Sequence, residues 1–91
     1  MRPACLALPL GLLALTACSE GEARCERALI ASLRDPGSYE RTSIVEDPRE
    51  SKAVEGYVIR YSQADAKGRR VRGEVMCDYV PDLKDAEISP L

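Results

Sequence analysis

From Ser19 onward the spacing of apolar residues changes once, from a helical period to an extended one, and that change marks out the elements. Cys25, Ala28, Leu29 and Leu33 stand at i, i+3, i+4 and i+8, the positions of one buried helical face, while Arg24, Glu26, Arg27 and Arg34 mostly point elsewhere. Ser32 interrupts the stripe at i+7, where its hydroxyl can return to a carbonyl one turn back, and Ile30 widens the face from the flank. Ser19 and Glu22 have the spacing of a capping box, so the helix can start directly after residue 18. Gly21 weakens that first turn and keeps later starts, near Glu22 or Arg24, open. Asp35-Pro36-Gly37-Ser38 predicts the stop: Pro36 disfavours helical geometry at Asp35 and has no N–H, and Gly37 tolerates the left-handed region.

Beyond the stop the period becomes two. Tyr39 to Glu46 carries the β-formers Tyr39, Thr42, Ile44 and Val45 among charges, which predicts a short edge strand, and Asp47 to Lys52 is a polar turn. Ala53 to Gln63 alternates, with Tyr57, Ile59 and Tyr61 on one face and Val58, Arg60 and Ser62 on the other. Ala64 to Arg69, with Asp65 and Gly68, predicts a hairpin loop. The chain returns through Arg70 to Val80, where Val71, Val75, Cys77 and Tyr79 share one parity and Arg72, Glu74 and Asp78 the other. The expected fold is α+β, one N-terminal helix packed on a three-stranded antiparallel meander. Pro81 onward reads as a polar tail that frays.

The segment before Ser19 has a different character. One positive charge, Arg2, precedes an apolar run from Ala4 to Ala17, which is shorter than the roughly 18 residues of a membrane-spanning helix. The run ends in Leu15-Thr16-Ala17-Cys18, the pattern of a bacterial lipoprotein signal. Residues 1–17 are therefore expected to be a signal peptide that carries Cys5 away. Cys18 is then the lipidation site, bearing a diacylglyceryl thioether and an acylated (palmitate-type) amine, at the head of a lipid-anchored N-terminus, 18–21. Residues 22–80 form the expected small domain and 81–91 its tail. Ser19, rather than Asp, after the lipidated cysteine favours the periplasmic leaflet of the outer membrane over the inner membrane.

That placement changes the reading of the remaining cysteines. An exported chain folds under oxidising conditions, so Cys25 and Cys77 are expected to form a disulfide. Two independent periodicities, helical at Cys25 and extended at Cys77, turn both toward one core. Closing so long a loop contributes about 4 kcal/mol on entropic grounds. A domain this small, without Trp or Phe, needs such a staple. The whole chain carries a net charge of −2, and losing Arg2 makes the mature chain more acidic, so nucleic acid is not an expected partner.

Leu33-Arg34-Asp35-Pro36-Gly37-Ser38 at the helix end, and the hairpin running from Tyr61 through Gly68 to Cys77, resemble a family of small, mostly uncharacterised secreted proteins and lipoproteins of bacteria. The resemblance covers about residues 25 to 80. In that family a helix ends in Leu-x-Asp-Pro-x-Ser, a strand follows, and a later strand enters an Asn-x-Phe-Gly-like turn before a last strand bearing a cysteine. Tyr61 resembles the aromatic that begins the turn segment, Asp65 stands where Asn is usual, and Gly68 and Cys77 match. Lys67 departs from the usual Phe. The resemblance implies the fold and no particular activity.

Candidate chemistry is sparse. Without histidine the commonest acid–base group near neutral pH is missing, and the cysteines have neither Cys-x-x-Cys nor zinc-ligand spacing, so no enzyme activity, metal or cofactor is expected. Glu46, Asp47 and Glu50 read as a solvated turn rather than a calcium site. Arg60, Lys67, Arg69, Arg70 and Arg72 concentrate positive charge on the second hairpin and make it the candidate patch for an anionic partner: an envelope protein, an acidic glycan or lipid head groups. The expectation is a monomeric, membrane-proximal binding or structural lipoprotein. Its alternative is a binding or inhibitor module for a soluble protein or glycan.

Overall fold

The computed structural model describes residues 19–91, so Cys18 and the expected signal peptide lie outside the described residues. Helix α1 spans Glu20–Ser32 and starts with both halves of the capping box in place. The Ser19 hydroxyl accepts from the Glu22 amide at 3.1 Å, and the Ser19 amide donates to the Glu22 carboxylate at 3.3 Å. The helix thus begins inside the segment expected to be an anchor linker. Gly21 is the reason it can: a Cβ there would lie 2.5 Å from Glu55 Oε1 and 2.8 Å from the Tyr57 hydroxyl. Close approach to the sheet, rather than weak propensity, explains the glycine.

At the other end the Ser32 hydroxyl donates to the Leu29 carbonyl at 2.7 Å, and Leu33 leaves the helix in extended geometry. Pro36–Ser38 then forms a single 3₁₀ turn, in which Gly37 does not use the left-handed region. Ser38 is the pivot. Its hydroxyl donates to the Asp35 carbonyl at 2.9 Å and accepts the Ala64 amide at 2.8 Å, tying the helix end to the sheet.

The sheet has four strands, not three: β1 (Glu40–Glu46), β2 (Glu55–Ala64), β3 (Arg70–Val80) and β4 (Asp85–Pro90), antiparallel in the order β1-β2-β3-β4. The expected fraying tail is corrected to an edge strand. Ala86 and Ile88 alternate inward opposite Tyr79 and Cys77, and the helix packs principally against this strand. A six-residue strand with only two small-to-medium apolar residues and a terminal proline carries little periodic signal, yet it supplies the outer wall under α1. Pro90 is tolerated because the strand is an edge.

The core lies between α1 and one sheet face: Cys25 and Leu29 against Tyr57, Ile59, Cys77 and Tyr79, with Tyr61 at its margin. Cys25 and Cys77 form the expected disulfide, with Cα atoms 5.9 Å apart and both residues fully buried. β1 is held to the helix by a polar clamp. Glu26 accepts from Tyr39 at 2.6 Å and, with both oxygens, from Arg41 at 2.8 and 2.9 Å. Burial and then Glu26 raise the Tyr39 pKa, which keeps the phenol protonated as a donor.

Candidate binding surfaces

The sheet's two ends differ because the helix is shorter than the strands. Thirteen helical residues span about 20 Å, whereas ten strand residues span about 33 Å. Contacts of Gly21 with Glu55, Tyr57 and Tyr79 set the helix start at the beginning of β2 and the end of β3. The β2–β3 hairpin therefore projects beyond the helix, at the far end.

The hairpin tip is built by Asp65. One carboxylate oxygen accepts the Lys67 amide at 2.8 Å and the Arg69 amide at 2.9 Å, and Gly68 takes a φ of +81°, which a Cβ would strain. These backbone bonds, first of all that from Arg69, hold the Asp65 pKa below the usual carboxylate value. Only a short side chain with an acceptor oxygen serves here, which is the physical reason Asp65 suits the tip.

The structure brings the candidate cationic residues to this end and largely pairs them. Arg60 lies 2.6 Å from Glu74, Arg69 3.2 Å from Asp65, and Arg70 3.4 Å from Glu40 while also donating to the Ser62 hydroxyl. Lys67 and Arg72 form no salt bridge among the described residues. The patch is therefore a mixed-charge surface with two uncompensated cations. Exposed pairs of this kind contribute about 0–1 kcal/mol each to stability.

Register sets the face that these residues occupy. Arg60 opposes Glu74, and Ser62 opposes Arg72, on the side of the sheet away from α1. A groove of about 530 Å³ opens there, lined by Thr42, Arg60, Tyr61, Arg72, Gly73 and Glu74. Tyr61 lies on the helix side but covers Gly73, where a Cβ would collide with its ring. The cross-strand glycine thus makes room for the tyrosine and leaves bare backbone in the groove. Further along this face Val45, Val58 and Met76 align across three strands. Arg49 then lies over Gly56, bridging Asp47 at 2.8 Å and Asp78 at 2.7 Å.

A second cleft, of about 280 Å³, lies at the opposite end, between α1 and the β3–β4 turn, lined by Arg24, Arg27, Ala28, Lys84 and Ala86. Arg24 donates to the Lys84 carbonyl at 3.4 Å, and both side chains reach Glu20, at 3.0 and 3.5 Å. Arg24 first and Lys84 next keep the Glu20 carboxyl below its ordinary pKa. Sequence reasoning missed this cleft because its members lie some sixty positions apart and meet only once β4 is formed. Glu46, Asp47 and Glu50 form no ligand cluster, and no group of three or more potential metal ligands is found among the described residues. No helix among the described residues is long and apolar enough to cross a membrane. Compared with known proteins, the chain matches no family model, no curated protein and no solved structure.

Proposed function

We propose that this protein is a lipid-anchored, non-enzymatic component of the bacterial cell envelope, whose small disulfide-stapled module binds or supports another envelope component close to the membrane. The observation that carries the reading is the capped start of α1 at Glu20, two residues after the lipidation candidate Cys18. Extended chain spans at most about 3.3–3.6 Å per residue, so almost no tether separates domain from lipid. The Leu15-Thr16-Ala17-Cys18 signal and the resemblance of the Leu33–Ser38 and hairpin segments to small bacterial lipoproteins point the same way. Acyl chains on both the thiol and the amine would anchor durably, where a single chain would not.

The test is intact mass of protein extracted from membranes, with and without reduction and thiol alkylation. A mass beginning at Cys18 plus acyl chains, with two thiols alkylated only after reduction, is the expected result. An unacylated mature chain overturns the anchor.

A second reading, a binding or inhibitor module for a soluble protein or glycan, is favoured by the groove at the hairpin end. Arg72 there is an uncompensated cation beside the Arg60–Glu74 pair and the half-buried Gly73 backbone, a set suited to an acidic or hydrogen-bonding polar partner. Arg72→Glu should then abolish capture of a soluble partner. Under the envelope reading, partners remain in the crosslinked membrane fraction.

A further inference from the structure

The end of the molecule that carries the second cleft also carries the most exposed large apolar side chain among the described residues. The turn from Val80 to Lys84 is closed by the Leu83 amide on the Val80 carbonyl and the Lys84 amide on the Pro81 carbonyl, both at 3.1 Å. Lys84 is the one non-glycine described residue with positive φ, at 52°. This geometry projects Leu83, 72% exposed, at the tip. A lone exposed leucine needs no explanation by itself. Its position does: the ion pair of Lys84 with Glu20, and the bond from Arg24 to the Lys84 carbonyl, fix the turn beside the first helical turn and hence beside Ser19.

We propose that this turn is a second membrane contact, with Leu83 entering the interfacial region of the bilayer and the cleft of Arg24, Arg27 and Lys84 receiving lipid phosphate. The proposal rests on the lipid-anchor reading and adds an orientation to it. The chain leaves the described fold at Ser19, beside the turn, so an acylated Cys18 and Leu83 meet the same bilayer surface. Arg24 and Lys84 share Glu20, while Arg27 forms no salt bridge among the described residues, so the cleft has positive charge to spare. Ala28 and Ala86 give it an apolar floor, and Asp85 sits on the opposite face of β4 from Ala86. Asp82 adjoins the tip, so net attraction is weak and apolar insertion beside the anchor dominates. The groove then lies about 23 Å from the bilayer, since seven strand positions separate Gly73 from the end of β3 at Val80, and the hairpin tip lies about 10 Å further out. Lipid head groups of the same membrane drop out as ligands of the hairpin patch.

The chain has no tryptophan, so a single one reports its own surroundings. The acylated protein, its lipidation checked by intact mass, is reconstituted into phosphatidylcholine vesicles with or without brominated acyl chains, carrying either Leu83→Trp or Lys67→Trp. At least twofold stronger quenching of Leu83→Trp than of Lys67→Trp is expected, and adding Arg27→Glu should weaken it. Equal quenching of the two positions in acylated protein overturns the orientation alone. Absence of acyl chains overturns the anchor and, with it, this contact. Fluorescence in detergent and retention of the disulfide verify that each variant is folded.

Discussion

The end of the sheet under the helix and the end that projects beyond it are built from the same strands but on opposite terms. Under the helix, Tyr57, Tyr79, Cys25, Cys77 and Leu29 exclude water, and the chain crosses itself through Gly21. Beyond it, Val71 has inward parity yet stays 41% exposed, Tyr61 covers Gly73, and order comes from Asp65, Ser38 and surface ion pairs. Apolar burial is worth about 25 cal/mol per Å², whereas exposed pairs contribute little. One end thus holds the fold, and the other is free to carry a surface. Such a division is what a small module needs if a ligand site is to vary without unfolding the domain.

Removing the staple should give the largest difference. Cys77→Ala with Cys25→Ala should lower stability by about 2–5 kcal/mol, seen as a large fall in Tm by circular dichroism. A shift of only a degree or two would mean that the tyrosine core suffices. The two glycines sharpen the contrast: Gly21→Ala pushes into Glu55 and the Tyr57 hydroxyl, and should cost about 1–3 kcal/mol by overpacking. Gly73→Ala displaces the Tyr61 ring at the open end, where it can swing outward; it should cost less and should change the groove. Equal Tm losses for the two would show that the ends are equally rigid.

Breaking the clamp with Glu26→Ala should cost about 2 kcal/mol, because Arg41 and Tyr39 then lose a half-buried acceptor. Chemical denaturation measures this, and amide exchange should show β1 loosening first. The smallest effect is that of pH at the hairpin tip. The Asp65 pKa is lower in the folded chain than in the unfolded one, so its contribution is present above about pH 4 and is lost as pH falls through the lowered folded value. Faster exchange of the Lys67 and Arg69 amides in acid, absent in Asp65→Asn, is the expected signature. Tyr39 acts with the opposite sense: its contribution is fully present below about pH 10 and is lost as pH rises through the raised folded value, the clamp itself holding until then.

Much of this architecture is legible in the sequence alone. The capping box at Ser19 and Glu22, the stripe through Cys25 and Leu29, the alternation of Tyr57, Ile59 and Tyr61, and the loop at Asp65 and Gly68 are local signals, and local signals follow backbone period and turn chemistry. Even the Cys25–Cys77 bridge follows from two such periods pointing inward. β4 is not legible, because Ala86 and Ile88 form a strand only where β3 offers a free edge and α1 a surface to cover. Gly21 misleads for the same reason: its role is contact with Tyr57, not helix propensity.

The sequence by itself determined α1, β1 to β3, their faces and the inward aim of both cysteines, since each depends on neighbours within a few positions. Tertiary structure alone decided that Glu74, Asp65 and Glu40 offset most of the hairpin's positive charge. It alone brought Arg24 to Lys84, and set that cleft and the groove at opposite ends of one sheet. Coulomb pairing and steric contact act through space, and the distances that govern them exist only once the chain has folded.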